Sequence, residues 1–413
     1  MWLLLLLFQT PQTISLEAAM AAAAQRPEHL ALLAERDAHI REAATVRRLS
    51  RLPDVSLSAG YQRTEPDRAL NTPFGPLPQG DTDTRFARVL VRQPIWQPAE
   101  SRYKAPALDK LAEAKQHMAE SRRQNLARKT GEAYVTILRI DAQIKSTRAF
   151  IKSLTARVNQ VSALVQEGRA LKSDLLKIES RREGAGLDLI RLKNHRGVAL
   201  DDLARMIGSE QPVEPLNIED SIPDHLDKVR ADNALTQHPD LEAMRTGIHG
   251  LALEEKGITA EFLPTLGAEL DWQSLDPSPF TERNILEARL AVSWKPFASG
   301  SRKTRAAAVT ARKKAATHRL TEAERLVKIG IAAARADFDT ARAAVRVRGI
   351  EIDQARETLR VEAARYQEGR ATLNDVLEFE ALLRDRRTQQ ELAYLDVLSA
   401  WLDYRLATGS LGH

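Results

Sequence analysis

Two segments of the sequence repeat each other at a fixed distance along the chain. Residues 166–179 (QEGRALKSDLLKIE) align without a gap to residues 367–380 (QEGRATLNDVLEFE), so that Gly168 corresponds to Gly369, 201 positions later. A large unit has therefore been duplicated in tandem. In each copy an apolar-periodic segment leads up to the Gly and periodicity resumes after an Asp, which predicts two antiparallel helices joined by a tight turn.

The apolar residues before each turn alternate at spacings of three and four, which is the repeat of a coiled coil. In the first copy they are Ile137, Ile140, Ile144, Thr147, Ile151, Leu154, Val158, Val161 and Val165, and the second copy keeps the register from Phe338 to Tyr366. Pro is absent from 107–211 and from 297–413. Each helix can therefore run unbroken to its turn, for roughly 100 Å at 1.5 Å per residue.

The composition suits helical bundles and offers no catalytic chemistry. Of 413 residues, 43% are hydrophobic but only 5% aromatic, and Cys is absent, which excludes disulfides and thiolate sites. The 61 basic and 56 acidic residues are interspersed as on solvated helix faces, so we expect no nucleic-acid partner. The nine His are scattered and no phosphate-binding or nucleophile motif occurs, which predicts no enzyme, no metal and no cofactor.

The chain begins with an apolar run, Trp2 to Phe8, like the core of a secretory signal. The run lacks a positively charged flank, so a truncated or mis-set start is the alternative. A helical pattern follows from Leu16 to Leu49, with Pro27 near the start of its second piece. We expect an exported protein.

Two stretches alternate apolar and polar residues with a period of two, which predicts β-hairpins. The first lies within 54–93, with a Pro/Gly/Asp-rich loop from Thr64 to Asp83, and the second within 265–295. Each strand has one apolar face, and Trp residues lie near the strand ends. This alternation is typical of a membrane barrel, with a soluble sheet packed on the helices as the alternative. Four strands cannot close a barrel, so a membrane location requires several copies.

These features divide the chain into four segments, each with its predicted content. They are a signal segment (1–13), a first repeat (14–208) with its β-hairpin (54–93) and tip (168–174), a linker of short helices and irregular structure (209–240), and a second repeat (241–413) with its β-hairpin (265–295) and tip (369–375).

The sequence resembles the TolC-like outer-membrane factors over roughly residues 14–409. The matching elements are ISLEAAMAAAAQRPEHLALLAER, LPDVSLSAGYQ, LPTLGAELDWQ, VRQPIWQPAESR, VSWKPFASGSR and the paired tips VQEGRALKSDLLKIE and YQEGRATLNDVLEFE. The resemblance implies a mainly α-helical protein with a small transmembrane β part: long coiled-coil hairpins form an α-barrel, and four strands per protomer contribute to a 12-stranded trimeric β-barrel.

The resemblance also implies a function and its partners. It predicts a homotrimer in the outer membrane of a Gram-negative bacterium, in contact with outer-membrane lipid and with its helical part in the periplasm. The trimer would be the passive exit duct of a tripartite efflux pump or a type I secretion system, joined to an inner-membrane pump by a periplasmic adaptor. A soluble or periplasmic coiled-coil scaffold without a pore is the alternative.

The two tips supply the candidate site residues. Docking of the adaptor is assigned to the residues of the two turns, which are Gly168, Arg169, Asp174, Gly369, Arg370 and Asp375. A structural account of the same residues is that Gly ends one helix and Asp favours the dipole of the next.

The gate is assigned to the second tip alone. Asp375 and Glu378 share one helix face by their spacing, and the resemblance implies a ring of carboxylates that selects cations, with Tyr366 as a further gate contact. The chain has Ala371 where some members of the family carry Arg, so a gating bond from that Arg is in doubt here.

Overall fold

The computed structural model describes residues 12–25, 27–63, 65, 69–78, 83–216, 234–276, 282–297 and 300–411. Residues 1–11 of the predicted signal segment lie outside this part. The elements in chain order are β1 (Gln12–Ile14), α1 (Leu16–Ala23), α2 (Pro27–Leu49), β2 (Asp54–Arg63), β3 (Ala69–Thr72), β4 (Gly75–Pro78), β5 (Asp83–Trp96), α3 (Ala105–Gln166), α4 (Lys172–Ile207), β6 (Val213–Pro215), α5 (Ala234–Gln237), α6 (Pro239–Ala260), β7 (Thr265–Asp276), β8 (Asn284–Ser293), α7 (Ser301–Gln367) and α8 (Leu373–Ala407).

The described residues form two compact units, which we call the sheet unit and the helical unit. The sheet unit comprises the described residues within 32–117 and 242–322, and the helical unit comprises those within 1–31, 118–241 and 323–413. The prediction of a mainly helical protein with four long strands is confirmed. Among the described residues, no helix combines the length and the apolar character needed to cross a membrane.

The sheet unit is built on a four-stranded antiparallel sheet in the order β2-β5-β7-β8. Its register places Leu57 beside Val89, Val89 beside Trp272 and Trp272 beside Leu286, so a row of apolar residues runs across all four strands on one face. Adjacent residues point to opposite faces of a strand, so the charged residues near the middle of the sheet, Arg88, Arg92, Glu269, Asp271 and Arg289, lie on the other face.

Two details of the strands differ from the prediction. β5 continues beyond Pro94 to Trp96, and its pairing with β7 shifts register there, because Pro has no N–H to donate to the ladder. The predicted loop from Thr64 to Asp83 contains a small hairpin, β3–β4, that turns at Gly75 with φ +117°.

The helical unit buries the predicted coiled-coil residues. In α3, Ile137 and Leu154 are fully buried, and in α7 the corresponding positions Phe338 and Ala355 are 0% and 4% exposed. The ring of Phe338 stacks on Tyr404 of α8 at 6.3 Å between centroids. The seam of each copy therefore forms a core, as its spacing indicates.

A short parallel pairing of β1 with β6 joins the start of the first repeat to the linker. The fully buried Tyr134 of α3 shares its one hydroxyl proton between the carbonyl oxygens of Ile14 and Leu216, at 3.0 and 2.7 Å. Burial raises the pKa of Tyr134 to about 12, so this hydroxyl stays a donor. The linker prediction did not include this strand; residues 217–233 of the linker lie outside the described part.

Candidate functional site: the hairpin tips

The first tip is a helix end closed by glycine in the left-handed conformation. Gly168 has φ +73°, its N–H donates to the carbonyl of Val165 at 3.1 Å, and the next N–H, of Arg169, donates to Leu164 at 2.8 Å. This paired arrangement satisfies the last carbonyls of α3. A side chain at position 168 would meet no neighbour, so the glycine is required by its backbone angle rather than by space.

The second tip repeats this geometry. Gly369 has φ +72°, its N–H donates to Tyr366 at 3.0 Å, and the N–H of Arg370 donates to Arg365 at 2.8 Å. Gly208 and Gly409 end the returning helices α4 and α8 in the same way, with φ of +71° and +69°. The structural account of the two tip glycines is therefore correct, and it leaves their predicted docking role open.

The helices that leave the two tips begin differently. At the second tip Thr372 caps α8: its hydroxyl accepts the N–H of Asp375 at 3.3 Å, and the Asp375 carboxylate accepts the N–H of Thr372 at 2.8 Å. This reciprocal pair is a capping box. At the first tip Leu171 takes the place of the threonine, and α4 begins without a side-chain cap.

The acidic residues of the tips differ accordingly. Hydrogen bonds from the backbone and the hydroxyl of Thr372 hold the pKa of Asp375 below its ordinary range, whereas Asp174 lies 3.6 Å from the ammonium of Lys177. Glu378 is exposed. The carboxylate ring would need three copies and stays a prediction, but within one chain Asp375 already has a structural role.

The remaining predicted residues lie at the surface of the tips. The side chains of Arg169 and Arg370 are 71% and 78% exposed and contact the nearby Glu167 and Glu368, at 3.1 and 3.2 Å. Exposed pairs of this kind contribute little to stability, so both guanidinium groups are available to a partner. Tyr366 is half-buried on the last turn of α7.

The structure also shows a connection between the hairpins that the sequence did not predict. Arg157 of α3 forms an ion pair with Glu380 of α8, and each side chain is only 18% exposed. Nearby, Leu377 of α8 is buried in the same cluster as Leu154 of the first hairpin. The second tip is thus anchored to the first hairpin by one charged and one apolar contact.

A row of polar contacts continues this junction of α3 with α8 away from the tips. It consists of Ser146 with Thr388 at 2.6 Å, Lys145 with Glu391 at 3.3 Å, Arg139 with Asp396 at 2.9 Å, Glu132 with Ser399, and Arg128 with Asp403 at 2.6 Å. The partners are separated by more than 200 residues in sequence, so local periodicity contains no signal for them. Among the described residues, no group of His, Asp or Glu is arranged to hold a metal ion.

Comparison with known proteins places this geometry in context. No protein-family profile matches the sequence. The alkaline protease secretion protein AprF of Pseudomonas aeruginosa is 23% identical over 405 residues, covering 93% of this chain and 82% of AprF. The structure of the outer membrane protein VceC of Vibrio cholerae matches with a TM-score of 0.77 at 17% identity, over 95% of this chain and 96% of VceC. CusC, described as undergoing transmembrane channel formation, matches with a TM-score of 0.80 at 12% identity, over 95% and 91%.

These likenesses extend over nearly the whole chain. The chain has the fold of the TolC-like outer-membrane factors, the family that its paired tips and strand motifs resemble.

Proposed function

We propose that the protein is a trimeric outer-membrane channel, the passive exit duct of an efflux pump or a type I secretion system. The observation that carries this proposal is the exposed apolar face of the four-stranded sheet. On it Leu57, Leu290 and Val292 are 77%, 72% and 69% exposed. A soluble sheet covers such a face, whereas a barrel strand presents it to lipid.

The size of this face suits a bilayer. Along β8 and its continuation, the apolar positions from Leu286 to Trp294 span about 27 Å of strand, or about 21 Å of membrane depth at a tilt near 40°. The apolar band of an outer-membrane barrel is about 25 Å tall. Trp294 and Phe297, 62% and 93% exposed, lie at one end of the band, where interfacial aromatic residues are expected.

The opposite face suits a water-filled lumen. Asp271, only 6% exposed, accepts hydrogen bonds from Arg88 at 2.8 Å and from Arg289 at 3.3 Å, and Arg92 lies 3.1 Å from Glu269. A polar face of paired charges on strands whose other face is apolar is the pattern of a pore wall.

The edges of the sheet support a trimer. Among the described strands, β2 and β8 each pair on one side only. Lipid does not tolerate an open edge, so the edge of one copy needs the edge of another. Three copies give twelve strands, an even number within the range of closed membrane barrels.

The tips provide the contact with the rest of the export system. Their exposed Arg169 and Arg370 would dock a periplasmic adaptor that leads to an inner-membrane pump, and Asp375, Glu378 and Tyr366 would line the gate. AprF is named for alkaline protease secretion, and by analogy a secreted protein is one class of cargo for this duct; small molecules of an efflux system are the other.

Membrane insertion tests the proposal. The wild-type protein should require detergent for extraction and should have three times the mass of the 46.0 kDa chain. Leu290→Arg should abolish insertion, because Arg on a lipid face costs about 2–4 kcal/mol near the midplane. The matched control is Ala291→Arg, which places the same charge on the polar face and should insert normally. A stable detergent-free monomer would support the scaffold alternative and refute the channel.

A further inference from the structure

We infer that an anionic phospholipid of the periplasmic leaflet binds at the boundary between two copies of the sheet, through exposed cations beyond the ends of β2 and β8. This lipid site rests on the proposed trimeric channel, because it lies where β8 of one copy pairs with β2 of the next, a line that we call the seam. Three features of the sheet unit support it: tryptophans at the headgroup level, cations without acidic partners, and apolar side chains beside them.

One tryptophan is turned onto the apolar face by an irregularity in β5. Pro94 pairs with Gly267 and Trp96 pairs with Leu266, so one extra residue bulges out between the two pairs. Leu266 shares the apolar face with Trp272, six residues away on the same strand. Trp96 therefore lies on this face as well, at the end nearest the helices, and is 46% exposed. Tryptophan at the end of a lipid-facing strand marks the level of the headgroups.

A second tryptophan lies at the same end of the apolar face. Trp294 follows Val292 by two residues and donates its Nε1–H to the carbonyl oxygen of Phe262 at 2.9 Å. The guanidinium of Arg302 lies 5.2 Å from the centre of the Phe262 ring and also donates to the carbonyl oxygen of Lys295. The backbone next to Trp294 is thus held at the headgroup level.

The chain next to the two edge strands is strongly basic. Residues 47–54 and 293–305 contain seven basic residues and a single acidic one. Three of the basic residues form ion pairs with nearby acidic side chains. The other four are exposed and make no ion pair with the part of the chain that the structure describes: Arg48, Arg51, Lys295 and Lys303. The helix end of the sheet therefore has four cations that its described neighbours do not neutralise.

These four cations flank the seam. Arg51 lies three residues before β2, and Lys295 lies two residues after β8. β2 leaves the helices and β8 returns to them, so both residues are at the helix end of the sheet. Adjacent strands are about 4.8 Å apart. Pairing of β8 with β2 of the next copy therefore brings the two cations within reach of a single headgroup.

The backbone of each of these two residues is fixed by a side chain. The amide of Gln93 donates to the carbonyl oxygen of Arg51 at 2.8 Å, as Arg302 does to that of Lys295. Fixing the backbone lowers the entropy that is lost when the side chain binds an anion. Like charges that meet at the seam repel each other unless an anion lies between them. The seam therefore favours an anionic occupant.

A phosphate group on a lipid is the anion that fits this position. Arg and Lys form strong charge-assisted hydrogen bonds with phosphate oxygens. Leu49 and Leu52, on the β2 side of the seam, are 64% and 52% exposed, and Trp294, on the β8 side, is 62% exposed. A free phosphate ion would leave these apolar groups uncovered. A phospholipid places its headgroup on the cations and its acyl chains on the apolar residues.

Lipid binding by the purified trimer tests the inference. In native mass spectrometry, the wild-type trimer should bind cardiolipin, which has two phosphates, in preference to zwitterionic phosphatidylethanolamine, with one cardiolipin at each seam. Arg51→Gln with Lys295→Gln should weaken cardiolipin binding about fivefold for each cation removed. The matched control is Arg85→Gln with Arg283→Gln, which removes the same charge at the opposite end of the sheet and should bind cardiolipin as the wild type does.

The outcomes separate this lipid site from the channel itself. If the wild-type trimer binds both lipids equally, or if the two double variants lose cardiolipin to the same extent, the lipid site is refuted while the channel stands. Displacement of cardiolipin by inorganic phosphate alone would show a site for the free anion and refute a lipid as its occupant. A monomeric wild-type protein has no seam and would refute the channel together with the lipid site.

A second variant keeps the test decisive if the first one prevents assembly. Arg48→Gln with Lys303→Gln removes the other two cations, which lie one turn or more from the strand ends. It should also weaken cardiolipin binding by the trimer, and unchanged binding by this variant would refute the site.

Discussion

The ion pair between Arg157 and Glu380 should make the stability of the second tip depend on its contact with the first hairpin. Both side chains are 18% exposed, and the second oxygen of Glu380 is buried without a hydrogen bond from the described residues. Removing one partner leaves the other charge poorly solvated. Removing one partner of a fully buried ion pair costs about 3–5 kcal/mol of stability, and removing one partner of an exposed pair costs less than about 1 kcal/mol. The pair of Arg157 with Glu380 is partly buried, so we expect a loss of about 2 kcal/mol here.

Hydrogen exchange of the tip amides measures this loss as local opening. Arg157→Leu and Glu380→Leu should each speed exchange about 30-fold, the equivalent of about 2 kcal/mol. The double variant should be affected less than the sum of the two single-variant effects, because it leaves no charge unpaired. The matched control is the exposed pair Asp353 and Arg356, at 75% and 61% exposure, whose removal should change exchange less than about threefold. Additive single effects would show that solvent screens the pair and would refute the reasoning.

Three further predictions concern the second tip. Thr372→Ala should loosen the first turn of α8 by roughly 1 kcal/mol in hydrogen exchange. The contribution of Asp375, whose pKa is held below its ordinary 3.8, should be complete above about pH 5 and should decline as the pH falls toward that lowered pKa. Protection of this turn that rises on acidification would contradict this. Gly369→Val, which forces a β-branched residue to φ +72°, should abolish export while the trimer stays in the membrane, and loss of the trimer would instead favour a purely structural glycine. Asp375→Asn with Glu378→Gln should weaken cation selectivity and multivalent-cation block in planar bilayers, and unchanged selectivity in a folded trimer would place the gate elsewhere.

Features encoded within a few residues were predictable from the sequence. The spacing of Ile137 to Val165 indicated a buried seam, and the alternation around Leu57 and Trp272 indicated a two-faced sheet; both are present. The turn glycines were predictable because φ above zero excludes most other residues.

Long-range contacts were not predictable in the same way. Arg157 and Glu380 lie in helices whose local patterns are like those of any solvated coiled coil, so nothing in the sequence alone pairs them. The capping box could have been recognised, since Thr372 and Asp375 have its spacing, but Asp375 was interpreted through the helix dipole, adaptor docking and the gate.

The pairing of β1 with β6 has a consequence for the order of folding. Thr13 lies beside Glu214, so joining them directly would close a loop of about 200 residues, which costs about 3 kcal/mol more than closing five. The α3–α4 hairpin brings Glu214 close to α3, through Arg196, which contacts both Asp141 and Glu214. The segment that contains Thr13 reaches the same helix only when α2 has also packed on α3, as the pair of Glu35 with Lys115 shows. We therefore expect the segment around Ile14 to dock late, after the first repeat is complete, and Tyr134 to hold it there with two hydrogen bonds.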